Sequence, residues 1–294
     1  MKNDRAAPAT DAADAPFELH AGALRLALRP DLGGSVAGLW HGTTPILRSS
    51  EPARLAVSRE AAMYPLVPYS NRLGYRRFRW RGHDYTTAAN VPDSPHSMHG
   101  VGWQRPWRIV SSSVLEVILE LHHAGDADWP FAFTARQYFS LTAESFSVRM
   151  QLVNDAAVDQ PVGIGWHPYF VKRARSRLHV ELSARWDTDA TLLPTRKVAQ
   201  PGIDSDLSHL DFDNCFEGWR GPARIRDERF SLQLASSLPY LVVYTPPERE
   251  YFCVEPVSHV NNAIHMGDPA AFGLVALAPR ATLEASMRLD IAPL

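Results

Sequence analysis

The sequence predicts an all-β protein, a large antiparallel β-sandwich, and three observations carry that expectation. Apolar and polar residues alternate with period two over many short stretches, long amphipathic helical patterns are scarce, and 23 prolines and 17 glycines punctuate the connections. Alternation matters because successive side chains of a strand point to opposite faces of a sheet, so a period of two marks one buried and one exposed face.

Taken along the chain, Leu24, Leu26 and Leu28 alternate with Arg25, Ala27 and Arg29, and Leu115, Val117, Leu119 and Leu121 with Glu116, Ile118, Glu120 and His122. Phe131, Phe133 and Ala135 then alternate with Ala132, Thr134 and Arg136; beyond a turn at Thr142–Ser145, Phe146, Val148, Met150 and Leu152 alternate with Ser147, Arg149 and Gln151, which reads as an antiparallel hairpin. Further strands are expected at Leu178–Leu182, Phe230–Leu234, Leu241–Tyr244, Tyr251–Glu255 and Leu283–Ile291. Proline has no amide hydrogen to give to a central ladder, so the prolines are expected at the seams between strands. With no Pro/Ser/Gly linker and no internal repeat, residues 17–294 are expected to form one domain behind an Ala-, Asp- and Pro-rich lead-in, residues 1–16, expected to be disordered.

Composition narrows the function classes. Hydrophobic residues at 45% and charged residues at 21% fit a soluble chain with a packed core. A net charge of -2, with both signs mixed along the chain, leaves no large single-sign field to recruit nucleic acid or an anionic membrane, so a small and mostly neutral ligand fits better. Cys215 and Cys253 are too few for a disulfide scaffold, and Met1–Pro16 lacks the apolar core of a signal peptide, so a reducing, cytoplasmic setting is expected. Nothing in the sequence specifies the oligomeric state.

Four segments concentrate His, Arg, Asp, Glu and aromatic residues where a plain sandwich would carry turn residues. Val67-Pro68-Tyr69-Ser70-Asn71-Arg72-Leu73-Gly74 offers Asn71 and Arg72, although a lone arginine is more often a solvated one. His96-Ser97-Met98-His99-Gly100-Val101-Gly102-Trp103 sets two histidines beside glycines that permit close backbone approach to a ligand. Its His-x-x-His spacing is weak as a zinc signal, because such sites need three or four ligands and neither cysteine is near in sequence, so no metal is expected. In Gly163-Ile164-Gly165-Trp166-His167-Pro168-Tyr169-Phe170, proline pushes His167 toward an extended backbone, and the imidazole projects from a strand; an aromatic core cluster is the structural alternative. In Tyr251-Phe252-Cys253-Val254-Glu255-Pro256-Val257-Ser258-His259, alternation puts Glu255 on the face of Cys253 and opposite Val254. A carboxylate in so apolar a strand is costly unless used or paired, and its burial would raise its pKa toward that of a general base.

In this order and spacing, Asn71-Arg72, His99-Gly100, His167-Pro168-Tyr169-Phe170 and Val254-Glu255-Pro256 resemble the aldose 1-epimerase, or galactose mutarotase, family, from about Pro65 to the C-terminus. The resemblance implies a mutarotase-like supersandwich with an open cleft, a sugar substrate, and neither metal nor organic cofactor. Carried onto this chain, it implies Glu255 as general base and His167 as general acid. Arg72, Asn71 and His99 would bind sugar hydroxyls, with His99 also able to assist at the ring oxygen. Asp213, in Phe212-Asp213-Asn214-Cys215-Phe216, would be the sugar-binding carboxylate, with Asp211 a near competitor. Trp103, Trp166, Tyr169 and Phe216 could offer apolar faces to the sugar ring. Val101, Val171-Lys172 and Val257-Ser258-His259 depart from the galactose enzymes' pattern, so the likeness is to the broader bacterial branch and does not name the sugar.

The implied reaction is interconversion of the α and β anomers of a free aldose by acid–base ring opening and closure. Two alternatives stay open: a mutarotase of hexose 6-phosphates, suggested by Arg72, Arg76, Arg77, Arg79 and Arg81, and a non-catalytic carbohydrate-binding module on the same fold. A glycoside hydrolase is disfavoured because no convincing second catalytic carboxylate pairs with Glu255.

Overall fold

A computed structural model describes residues 16–294, so the expectation for the lead-in falls outside the described residues except at Pro16. Two large antiparallel sheets dominate. The 11-stranded sheet runs in the spatial order Phe17–Ala21, Leu24–Arg29, Ser35–His41, Met63–Leu66, Gly165–Val171, Tyr251–Val257, Tyr240–Tyr244, Asp213–Glu217, Ala184–Thr188 and Pro194–Ala199, with Thr44–Pro45 branching from Ser35–His41. The nine-stranded sheet runs Arg108–Ser112, Glu116–His123, Phe133–Leu141, Ser145–Asn154, Thr282–Pro293, Phe230–Ser236, Arg220–Arg226, Arg177–Glu181 and Ile203–Asp206. No helix among the described residues is long and apolar enough to cross a membrane.

The expected hairpin is present: Phe133–Leu141 pairs with Ser145–Asn154 in unbroken register from Phe133↔Asn154 to Leu141↔Phe146. Its inward residues, Phe133, Ala135, Phe139, Val148, Met150 and Leu152, join one cluster with Val36, Trp166, Phe170, Phe252 and Val254 of the larger sheet. That shared cluster is the sandwich core. Gln137 crosses it, with its amide nitrogen donating to the Gly34 carbonyl at 3.0 Å and its oxygen accepting from the Trp166 indole at 3.3 Å, so the buried polar groups are paired.

The prolines depart from expectation. Pro65, Pro168 and Pro256 lie inside central strands of the larger sheet. For Pro168 and Pro256 the physical reason is a break in the ladder: between Gly165–Val171 and Tyr251–Val257 the register is continuous from Val171↔Tyr251 to Tyr169↔Cys253 and resumes only at Gly165↔Val257. Pro168 and Pro256 stand within that break, where a missing amide hydrogen costs no ladder bond.

On the outer face of the nine-stranded sheet, Glu120 is buried among Arg108, Arg136 and His122, accepting from His122 Nε2 at 2.7 Å and Arg136 Nε at 2.6 Å, and from Arg108. Burial pushes this carboxyl up, but the hydrogen bonds from Arg108, Arg136 and His122 outweigh it and hold it at about 2 against an ordinary 4.5. A depressed carboxylate stabilises the fold above its unfolded pKa and ceases to as the pH falls through the folded value. Denaturant unfolding of Glu120→Gln should therefore lose less stability than wild type between pH 4.5 and about 2, and equal slopes would exclude this role. Trp166→Ala, which empties the core at a fully buried position, should cost about 3–5 kcal/mol by the same measurement.

Candidate active site

Strand alternation splits the central strands of the larger sheet into two sets. Trp166 and Phe170 enter the sandwich core, whereas Tyr169, Cys253, Val257, Tyr64, Leu66, Val242 and Cys215 form a second cluster on the opposite face. His167 and Glu255 belong to that opposite face by the same alternation. The pairing register sets them laterally: His167 opposes Tyr64, Glu255 opposes Val242, and Val242 opposes Cys215. Residues separated widely in sequence thus form one row across adjacent strands.

His167 Nε2 lies 3.3 Å from Glu255 Oε1, and both residues are buried. Burial pushes the Glu255 carboxyl well above the usual carboxylate range; the Asp213 charge adds to this and the Arg72 guanidinium opposes it. Burial also drives His167 well below the usual imidazole value, reinforced by His99 and by the positive charge of Arg48. Both shifts have one cause: charge is expensive in a dry site, so at rest the pair favours its uncharged form.

The His167 ring has a fixed seat. Tyr169 stacks on it with centroids 4.4 Å apart and planes 14° off parallel, and Tyr64 sits 4.8 Å away. The Tyr64 and Tyr169 hydroxyls share a hydrogen bond of 2.9 Å. On the other side of Tyr169 the Arg48 guanidinium lies 3.7 Å from the ring centroid, anchored by donation to the Arg59 and Ala61 carbonyls.

Two loops carry the remaining polar groups. Arg72–Leu73 pairs with Ser97–Met98, and the contacts continue beyond this two-residue ladder: the His99 amide donates to the Asn71 carbonyl at 2.9 Å, while the Asn71 amide donates to His99 Nδ1 at 3.1 Å. Asn71 and His99 both hold left-handed backbone, φ 56° and 63°, a costly conformation for histidine that these reciprocal bonds sustain. Because Nδ1 accepts, the proton of neutral His99 resides on Nε2. Burial, with Arg72 adding repulsion, lowers His99 to about 3, so it is a neutral donor at physiological pH. The Arg72 side chain donates to Asn71 Oδ1 at 3.2 Å and to Asp213 Oδ2 at 3.2 Å, whereas Asp211 is exposed.

Glu255, His167, His99, Arg72, Asn71, Asp213 and Tyr169 therefore converge. Trp166 does not: it faces the sandwich core with no exposed surface, as does Phe216, because both sit at the alternate parity of their strands. Tyr169 presents its ring faces to His167 and Arg48, so it braces the imidazole. The glycines of the His99 loop also serve a different end. A Cβ on Gly100 would lie 2.3 Å from the Val67 carbonyl oxygen, so the close approach is to the neighbouring loop and not to a ligand.

His96 and His259 are framework residues. His96 accepts from the Tyr75 amide and contacts the Thr191 carbonyl; His259 accepts from the Ser70 amide at 3.1 Å and contacts the Val260 carbonyl at 2.8 Å. The sequence reading missed Tyr64 and Arg48. Tyr64 was discoverable only through the strand pairing that sets it beside His167, and Arg48, a lone arginine among Leu and Ser, carries no local signal. Cys253 also reaches the pair, its ligand atom lying within 4.8 Å of those of His167 and Glu255.

Comparisons with known proteins identify the family. The aldose 1-epimerase family model matches residues 17–290. The uncharacterized protein YphB of Escherichia coli is 31% identical over 298 residues, spanning 93% of this chain and 98% of that protein. A crystal structure from Escherichia coli K12 superposes with a TM-score of 0.87 at 30% identity, covering 95% of this chain and 99% of that one. The GalM/aldose epimerase homologue from C. elegans shares the fold at 16% identity, with a TM-score of 0.82 over 96% of this chain and 100% of its own. This chain belongs to the aldose 1-epimerase family.

Proposed function

We propose that the protein is a mutarotase acting on a free aldose, with Glu255 and His167 as its acid–base pair. The observation that carries this reading is the 3.3 Å contact between a buried carboxyl and a buried imidazole, within a site that also offers a guanidinium and a neutral histidine donor. Mutarotation asks for little else. A proton leaves the anomeric hydroxyl as another reaches the ring oxygen, the C1–O5 bond breaks, the aldehyde rotates about C1–C2, and the reverse transfers close the ring on the other face. Both oxygens are bonded to C1, so two groups lying side by side can serve them together.

In the proposed roles Glu255 takes the hydroxyl proton and His167 supplies the ring-oxygen proton. The pair needs one proton in total, and burial favours holding it as carboxylic acid and neutral imidazole at rest. Transfer across the contact yields the carboxylate and imidazolium that the reaction uses, and the Arg72 charge favours that form. Closure of the ring returns each proton to its donor, so no outside acid, base or cofactor enters the cycle. His99, with its proton on Nε2, donates to a sugar oxygen, and Arg72 with Asp213 binds hydroxyls as a donor and acceptor set.

Two arginines of the basic segment favour the unphosphorylated substrate: Arg79 bonds Asp84 and Arg81 bonds Asp159, so their charges are compensated, while Arg72 bonds the site carboxylate Asp213. Glucose and galactose should accordingly be turned over faster than hexose 6-phosphates.

Polarimetry on freshly dissolved α-aldose checks both points. Glu255→Gln and His167→Asn should each lower the catalysed rate about 10²–10⁴-fold while sugar binding persists. Wild-type rates from Glu255→Gln would refute the assignment. Saturable sugar binding by the wild type without any acceleration would identify a binding module instead.

A further inference from the structure

Cys253 has no part in the proton transfers above, yet its thiol stands beside them. It lies two residues before Glu255 on the same face of Tyr251–Val257 and directly opposes Tyr169 in the ladder. Among the described residues, His167, Cys253 and Glu255 bring one imidazole nitrogen, one sulfur and one carboxylate oxygen within 4.8 Å of one another, all three residues buried. Tetrahedral zinc, with bonds of about 2.0 Å to nitrogen or oxygen and about 2.3 Å to sulfur, places its ligand atoms roughly 3.3–3.7 Å apart. The His167–Glu255 separation of 3.3 Å already meets that spacing. Closing the widest pair takes a shift of about 1 Å, within reach of a side-chain rotation.

We propose that His167, Cys253 and Glu255 form a three-ligand site for a soft divalent cation such as zinc, and that the cation binds in competition with the sugar and blocks the acid–base pair. The chemistry of the donor set selects the ion. A thiolate and an imidazole favour zinc over magnesium or calcium, which seek oxygen cages. Thiolate and carboxylate together neutralise a 2+ ion, which removes the charge penalty of a dry site. On binding, the thiol proton and the proton shared by Glu255 and His167 leave to solvent, and the fourth position is filled by water. Arg48 and Arg72 bring positive charge to the same site, Arg48 favouring the thiolate of Cys253 and Arg72 the carboxylate of Glu255, and His167 Nδ1 is buried without a hydrogen-bond partner. A metal-bound histidine is ordinarily braced through that second nitrogen, so affinity falls below that of a structural zinc site, and the ion acts as a reversible inhibitor.

The inhibition arm rests on the mutarotase reading; the binding arm does not. Cobalt(II) titrated into the purified protein should give a thiolate-to-cobalt charge-transfer band in the near ultraviolet, present in Cys215→Ala and lost in Cys253→Ala and Cys253→Ser. Zinc should raise the apparent KM for aldose in wild type, with recovery on chelation. The zinc concentration for half-inhibition should rise about ten-fold or more in Cys253→Ala, whose metal-free rate stays near wild type. Absence of the band in wild type, or equal zinc sensitivity in wild type and both Cys253 variants, would overturn the proposal. A band that depends on Cys253 in a protein without mutarotase activity would retain the metal site and remove the catalytic reading.

Discussion

Everything in the site depends on keeping an imidazole and a carboxyl together on a sheet face that excludes water. Two charged groups in such a place are costly to desolvate, and removal of either partner leaves the other uncompensated. Burial relieves this by disfavouring the charged form of both His167 and Glu255, which lie 3.3 Å apart. The surrounding groups follow from that constraint. Tyr64, Tyr169 and Arg48 hold the ring in place, the Tyr169 hydroxyl also lying 3.5 Å from His167 Nε2, and the Arg72 charge favours the ionised carboxyl.

The break in the ladder between the two central strands belongs to the same solution. A continuous antiparallel pairing would call on alternate amides of both strands, those at 168 and 256 among them, and prolines there would leave ladder bonds unmade. With the ladder interrupted, the two prolines fit, and His167 and Glu255 lie in the same irregular stretch. Proline here marks an irregularity inside a strand, where simple strand rules place it at the ends.

This explains what could be read from the residues and what could not. Period-two alternation located the hairpin at 133–154 and set Glu255 on the face of Cys253, because both depend only on local geometry. The same rule, applied to Trp166, would have removed it from the site: it neighbours His167 in sequence and therefore faces the other way. Tyr64 and Arg48 were illegible for a different reason. Their proximity to His167 comes from which strands pair, and an 11-stranded sheet whose central neighbours are 63–66, 165–171 and 251–257 has no local signature of that order. Asp213 and Asp211 differ by two positions in one short segment, and only the ion pair of Asp213 with Arg72 separates them.

The converging side chains come from two kinds of backbone. Glu255 and His167 stand on interior strands of a wide sheet, while Asn71, Arg72 and His99 belong to short connected segments outside it, locked to each other more than to the sheet. A change in those segments can therefore move Asn71, Arg72 and His99 together while the strands that hold His167 and Glu255 keep their register.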